Sequence, residues 1–459
     1  MRRIAVLSAV AFVAVVGATT TSAHAQGFGV YEHDACMMAR AGTGVASPCG
    51  ASAVFYNPAG IVGGSHRWNV QAGLTMIEPR GAFTDSASRV TTQATPNNIP
   101  VPAFFVTRQL NARWAVGLGI NAPYGLISEW PNTFAGRFLA YRAELKAIYV
   151  SPTVAYSISP RVQVGAGVDY VHTTVSVRQR LDVSSQVATG TTTFAQLGIP
   201  VGTDFADAQL EGSGSHFGGA HFGFLAKPWD WVSVGARVLT RVTVNVDGTA
   251  NFTRYPTGIT LPAGNPFGVP GGTPLDSVVT SAFTGKLYSG QGVSTRIPLP
   301  EQIVIGLALR PISQAMLLLD YQYVNWRAFQ VLPFDLDSAG SQTLHEDYRP
   351  TSGWRGGIEL TPTSKITVRG GMLWHQAAAP AQTVTPLLPE GARIEGTAGL
   401  GLQLSPRMRL DVAYQYIRQQ DRRGRVVDAA PGLVPTVALS SGLYTSTAKL
   451  YGASLAFAF

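Results

Sequence analysis

Charge is what this 459-residue chain has least of: Asp, Glu, Lys and Arg together make up 13% of it, about half the share of an ordinary soluble domain. So thin a charged surface argues against a soluble globular protein of this length. The basic excess, a formal net charge of +8, is scattered and forms no run of nucleic-acid type beyond Arg422-Arg423-Gly424-Arg425, so no nucleic-acid partner is expected. Long apolar runs are missing too. Ile4–Val16 has 13 uncharged, apolar residues, and no later run approaches the roughly 20 that a spanning helix needs, which excludes a helical membrane bundle. The sequence has no Gly-x-Ser-x-Gly elbow, phosphate loop or paired-cysteine metal motif, so no catalytic residue, metal or cofactor is expected and the chain is not read as an enzyme. Gly117-Leu118-Gly119-Ile120-Asn121-Ala122 imitates a dinucleotide fingerprint, but it lies inside a strand with no helix after it. The 8 histidines are dispersed, and His216 and His221, five apart, point to opposite faces of a strand.

What the chain does have begins with three zones of a secretory leader. Arg2 and Arg3 precede the apolar run, and Ala23-His24-Ala25 is a small-x-small cleavage site, giving a leader over 1–25. A segment over 26–66 follows, rich in Gly, Ala and Ser, with both cysteines and an Asn-Pro-Ala-Gly turn. Small residues bury too little apolar area to sustain a core of their own, so this segment is expected to lie inside something larger, as a plug. Beyond an inner membrane the compartment is oxidising, and Cys36 and Cys49 are expected to form a disulfide.

From Trp68 to Phe459 the sequence alternates with a period of two. Val162, Val164, Ala166, Val168 and Tyr170 oppose Gln163, Gly165, Gly167 and Asp169; Ile303, Ile305, Leu307 and Leu309 oppose Val304, Gly306, Ala308 and Arg310. A soluble sandwich alternates as well, but its outer face is rich in Lys and Glu, whereas the polar face here is mostly Gly, Ser, Thr and Gln. That suits a barrel with lipid against its apolar side. Tight turns such as Asn111-Ala112-Arg113, Ser159-Pro160-Arg161 and Ser405-Pro406-Arg407 alternate with long connections such as 181–213 and 252–295. Fourteen strands are counted, beginning near Trp68, Pro100, Trp114, Ala143, Val162, Ser215, Val232, Ile297, Ala315, Tyr348, Ile366, Ala392, Met408 and Ser446. The expected fold is all-β, a 14-stranded antiparallel transmembrane barrel over 67–459 plugged by the N-terminal segment, closed so that no edge faces lipid. Tyr451, Ala453, Leu455, Phe457 and the terminal Phe459 share one face of the last strand. This ending is similar to the assembly signal of bacterial outer-membrane proteins, so the barrel-assembly machinery is an expected partner.

Gly27-Phe28, Asn57-Pro58-Ala59, Tyr124-Gly125-Leu126, Thr133-Phe134-Ala135-Gly136, Leu299-Pro300-Glu301 and Trp326 with Phe329-Gln330 follow one another in an order and spacing that resembles the outer-membrane long-chain fatty-acid and aromatic-hydrocarbon transporters. The resemblance covers nearly the whole mature chain. It implies a barrel occluded by a hatch, with a third strand kinked inward to leave a gap in the wall. The matching run here is Asn121-Ala122-Pro123-Tyr124-Gly125, and both Pro123 and Gly125 are disfavoured inside a paired strand.

The resemblance further implies passive uptake of a hydrophobic small molecule in the outer membrane, amid its lipid and lipopolysaccharide, by a monomer. Apolar side chains of the two long loops (Phe194, Leu197, Ile199, Phe205; Ile259, Leu261, Phe267, Val278, Val279, Phe283) are candidates for a collecting groove, or else pack on one another. Phe28, Tyr124, Phe134 and Phe138 are expected to line a deeper pocket. Asn57, Pro58 and Ala59 are expected to hold the hatch against the kinked wall, with Pro123 and Gly125 as the gate. Where fatty-acid members present an Arg late in the fifth strand, this chain reads Arg178-Gln179-Arg180, and Gln179 takes that place, which leaves both long-chain fatty acids and neutral aromatic hydrocarbons open as the solute. Arg237, Arg310 and Arg369 are expected to pair with Asp169, Asp320 or Asp411. A general diffusion porin is the alternative, and an outer-membrane lipase-like enzyme a remoter one.

Overall fold

The computed structural model describes residues 27–283, 290–338, 340–424 and 441–459. The expected leader lies outside the described residues, as do Gln26 and Arg425. Fourteen staves form one antiparallel sheet. They are β1 (Trp68–Asp85), β2 (Ile99–Gln109), β3 (Trp114–Glu129), β4 (Arg142–Ser159), β5 (Val162–Asp182) and β6 (Asp204–Trp229). Then come β7 (Val232–Leu239 and Val242–Arg254), β8 (Gln291–Leu299 and Gln302–Ile312), β9 (Ala315–Val324 and Val331–Leu336) and β10 (Gly340–His345 and Thr351–Thr363). The circuit ends with β11 (Ile366–His375), β12 (Arg393–Ser405), β13 (Met408–Gln419 and Arg422–Gly424) and β14 (Gly442–Ala458). β14 returns to β1 in an unbroken register from Asn69↔Ala458 to Asp85↔Gly442, which removes the edges that lipid cannot solvate. Sequence alternation is realised as an outer face carrying Leu74, Ile148, Phe222, Ile305, Leu319, Met372, Val412 and Leu455, all exposed, the apolar band that a bilayer covers.

The inner face carries more charge than composition suggests. Asp169, Arg237, Asp320, Arg355, Arg369 and Asp411 are all buried there. The N-terminal segment occupies the bore and satisfies part of this polar wall. Ala35 donates to Ser454 Oγ (2.8 Å), Ala41 to Thr397 Oγ1 (3.0 Å), and Gly44 and Val45 to Asp320 Oδ2 (2.8 and 3.1 Å). Arg40 reaches Glu359 at 3.3 Å. Cys36 and Cys49 are joined, with their Cα atoms 6.4 Å apart, within the usual disulfide span.

Asn57 organises the hatch turn. Its Oδ1 accepts from Ala59 N (3.1 Å) and its Nδ2 donates to Phe224 O (2.9 Å). Pro58 and Ala59 lie against β5 and β6, where a Cβ at Gly165 would come within 2.4 Å of the Pro58 carbonyl carbon and one at Gly223 within 2.2 Å of Asn57 Oδ1. The Asn-Pro-Ala turn therefore anchors on β5 and β6 rather than on the kinked third strand where the sequence reading set it. The reason is steric: two facing glycines let a turn approach the wall.

Candidate functional site

β3 leaves the wall. It pairs with β2 only from Gln109↔Ala115 to Phe104↔Ile120, while β2 continues against β1 as far as Ile99↔Ile77. β3 itself continues on β4 through Glu129↔Arg142, with a register shift between Asn121 and Tyr124. In that shift Ala122 and Pro123 stand opposite the single residue Ile148, a bulge of one residue that bends the strand. Above Phe104 and Ile120 the two strands have no ladder between them. Pro100 and Pro102 stand on the β2 side of this gap, as expected of a strand edge left without a partner.

The freed edge of β3 is taken by the start of the described chain. Val30 N donates to Pro123 O (2.8 Å) and Gly125 N to Phe28 O (3.0 Å), with an antiparallel bridge between Gly29 and Tyr124. Gly27 has φ +57° and lies on the Trp326 ring, where a Cβ would come within 2.5 Å. Its N–H is accepted by Glu390 Oε1 (2.9 Å), a buried carboxylate that also takes Ala378 N and Ala379 N, both at 2.9 Å. Burial pushes the Glu390 carboxyl above the usual range despite those bonds.

This tail delivers Phe28 into an aromatic chamber. Its ring lies edge-on to Trp326 (4.7 Å), Phe329 (5.3 Å) and Tyr124 (6.1 Å). Phe28, Leu126, Leu145, Val175, Ile297 and Tyr348 help to line a small, largely apolar cavity. Glu144 and Glu346 are the charged residues of its lining, which contains no Lys or Arg. Glu144 is held by Arg142 (3.0 Å) and by Lys146.

Beneath the chamber lies a polar belt. Tyr124 O–H donates to Pro300 O and accepts from Gln302 Nε2 (2.9 Å). Gln302 Oε1 accepts from Arg237 (3.2 Å) and Gln322 (3.4 Å). Arg355 donates to Gln322 and lies 3.2 Å from His375 Nε2. The guanidinium of Arg355 covers the ring of hatch residue Tyr31 at 3.7 Å, and that of Arg237 covers Phe55 at 4.1 Å. Hatch and wall are thus joined by cation–π contacts in a layer sealed from water, where such contacts are strongest.

Of the residues singled out from sequence, Phe28 and Tyr124 meet at the chamber. Phe134 is buried farther along, stacked on Trp130 (4.7 Å) and edge-on to Phe83. Phe138 lies instead under the Arg137 guanidinium (4.2 Å) and is absent from the chamber lining. Arg178 and Gln179 lie farther along β5, beyond the lining residue Val177. Arg369 pairs with Asp411 at 2.7 Å. Arg237 does not pair with an acid as expected; Asp169 is taken by His221 (2.9 Å) and Ser151 (2.5 Å), and Asp320 by the hatch. Among the described residues the Arg310 side chain reaches Met316 Sδ, at 3.8 Å. The apolar side chains of the two long loops pack on one another, with Val183, Phe194 and Leu275 fully buried and Phe267 stacked on Phe194 (5.5 Å); the Phe283 side chain lies outside the described residues. Trp326, Phe329 and Tyr348 were missed as site residues. Their signal was available in the aromatic spacing just where β9 breaks.

A model of the family described as "Outer membrane protein transport protein (OMPP1/FadL/TodX)" matches residues 16–459. A long-chain fatty acid transport protein of Escherichia coli O6:H1 is 24% identical over 432 residues, covering 89% of this chain and 91% of its own. A 47 kDa outer membrane protein of Pasteurella multocida is 23% identical, covering 86% of this chain and 88% of its own. Among solved structures, a Pseudomonas aeruginosa FadL homologue superposes with a TM-score of 0.78 at 20% identity, over 95% of this chain and 100% of that one. The P. putida toluene transporter TodX gives 0.69 at 16% identity, over 94% and 99%.

Proposed function

This chain belongs to the OMPP1/FadL/TodX family of outer membrane transport proteins, and from that premise we propose that it takes up neutral hydrophobic compounds passively and releases them sideways through the gap between β2 and β3. One observation carries the reading: the chamber that holds Phe28 reaches β3 at Leu126, on the stretch where β3 has parted from β2 without a ladder. An apolar solute gains roughly 25 cal/mol for each Å² it removes from water, so capture needs no covalent chemistry. Straight passage downward meets the belt of Tyr124, Gln302, Gln322, Arg355 and His375 and then the hatch. Desolvated polar side chains and a bonded plug make that route costly for a hydrocarbon. The way out is the bulge at Ala122-Pro123, which opens to lipid once the Phe28–Val30 tail yields two backbone hydrogen bonds.

A neutral solute is favoured because the chamber wall has two carboxylates and no cation to meet an acid headgroup. The relatives named for long-chain fatty acids and for toluene bracket this choice. Binding of toluene and oleate to the purified protein, measured in parallel, tests it: toluene is bound in preference. An oleate preference contradicts the neutral assignment. A large steady conductance in planar bilayers contradicts the plugged transporter and favours a porin.

A further inference from the structure

β13, β14 and β1 stand side by side where the barrel closes, and their outer faces change character with height. Going up from the tight turns, β14 presents Phe457, Leu455, Ala453 and Tyr451, and then Lys449 and Thr447. β13 presents Val412, Tyr414 and Tyr416, and then Arg418; β1 presents Leu74 and Met76, and then Glu78 and Arg80. Strand register brings these residues together. Tyr414 is opposite Tyr451, Thr447 lies between Arg418 and Arg80, and Lys449 lies between Tyr416 and Glu78. The rings of Tyr414 and Tyr451 are 5.4 Å apart, and both are exposed, as are Tyr416, Arg80, Arg418 and Lys449. At about 3.3 Å per residue and a tilt near 40°, the three cations stand roughly 20–25 Å above the level of Phe457, at the top of an apolar band about 25 Å tall. They are at the end that carries the long connections, which faces out of the cell in barrels of this kind.

From this layering we infer that the face of β13, β14 and β1 seats a lipopolysaccharide molecule of the outer leaflet, with its lipid A phosphate on Arg80, Arg418 and Lys449 and its acyl chains along the tyrosines and apolar residues beneath. The site needs the barrel to lie in the outer membrane and depends in no way on which solute is carried. Arg80 and Arg418 are two strand spacings apart, about 10 Å, so their long side chains can converge over Thr447 on one phosphate. Guanidinium groups bind phosphate through two parallel hydrogen bonds; the Thr447 hydroxyl and the Lys449 ammonium lie alongside to complete the shell. Glu78 is the one carboxylate in the row, and three cations against it leave an excess of two positive charges. Below the cations, Tyr414, Tyr416 and Tyr451 set apolar ring bodies against chains and hydroxyls toward the headgroup, the arrangement that suits an aromatic residue at a membrane interface. An anionic phospholipid of the inner leaflet meets the opposite rim instead, where the tight turns expose Arg113, Lys365 and Arg407.

The test titrates the purified full-length protein in detergent with diphosphorylated lipid A, with dephosphorylated lipid A and with phosphatidylglycerol, and counts bound lipid by native mass spectrometry. The parent is expected to bind one diphosphorylated lipid A in preference to both of the others. Arg80→Gln combined with Arg418→Gln and Lys449→Gln is expected to lower that affinity about a hundredfold, at roughly fivefold for each cation. Arg113→Gln combined with Lys365→Gln and Arg407→Gln removes as much charge from the opposite rim and is expected to leave it unchanged. Heat-modifiable migration confirms a folded barrel in both variants. No loss in the first variant, or an equal loss in the second, overturns the site. The parent decides independently of any variant: dephosphorylated lipid A bound as tightly as the phosphorylated form overturns the role of the cations, and phosphatidylglycerol bound as tightly overturns the assignment to lipopolysaccharide.

Discussion

Removing the Asp320 carboxylate should unseat one edge of the hatch without touching the barrel. Asp320 is 1% exposed, and its Oδ2 accepts both Gly44 N (2.8 Å) and Val45 N (3.1 Å). In Asp320→Ala both N–H groups stay buried without an acceptor, at about 1–3 kcal/mol each. Taking about 3 kcal/mol in total, the ratio of displaced to seated hatch rises more than about a hundredfold. The remaining anchors, among them Arg40–Glu359 (3.3 Å) and Asn57–Phe224 (2.9 Å), stay in place, so the hatch loosens at one edge and does not fall out. The β8–β9 ladder that runs through Gly306↔Asp320 depends on backbone and is unaffected. In planar bilayers the parent is expected to be nearly silent and Asp320→Ala to show frequent openings, with Asp320→Asn, which keeps one acceptor, between them. A silent Asp320→Ala that still migrates as a folded barrel refutes the assignment of Asp320 as a hatch anchor.

Acid should loosen the hatch by a separate route. Burial, aided by the positive charge of Arg237, lowers His33 to about 3, so the hatch is fully stabilised above the ordinary histidine range and loses stability as pH falls from 6.5 toward that value. At pH 5 the loss is about 2 kcal/mol, and opening frequency should rise on acidification in the parent and stay flat in His33→Gln. Reducing the Cys36–Cys49 bond, or Cys36→Ser with Cys49→Ser, removes a constraint worth about 3 kcal/mol for so short a loop, and protease should then cut the hatch in barrels that otherwise resist it. Phe28→Ala vacates part of the chamber, so the affinity for naphthalene should rise relative to that for toluene in a binding assay; an unchanged ratio argues that Phe28 does not occupy the solute's place.

The barrel was legible because lipid on one side and a bore on the other impose a strict period of two on every stave. Strand starts such as Trp114, Val162, Val232 and Met408 coincide with the structure. β6 begins at Asp204 rather than near Ser215, since its outer end carries Asp204, Asp207 and Gln209, which lack the apolar alternation of a lipid-facing stretch. The kink was legible in Pro123, but the width of the gap was also written in Pro100 and Pro102, which the sequence reading passed over. The polar belt was not legible. Gln302, Gln322, Arg355 and His375 come from four different staves, and no spacing within a single chain reveals that their side chains join. Phe138 misled for a related reason: an aromatic near a pocket in sequence stacks equally well on a neighbouring guanidinium.

Sideways release is tested most directly by repairing the wall. Because Ala122 and Pro123 together face one residue of β4, deletion of Pro123 alone leaves Asn121 opposite Tyr149 and Tyr124 opposite Ala147, with every side chain still on its present face, and removes the bend that parts β3 from β2. The measurement is toluene uptake by cells carrying this deletion beside toluene binding by the same purified protein. Retained binding with uptake lost is the predicted result; uptake at the parent's rate through a mended wall contradicts lateral release.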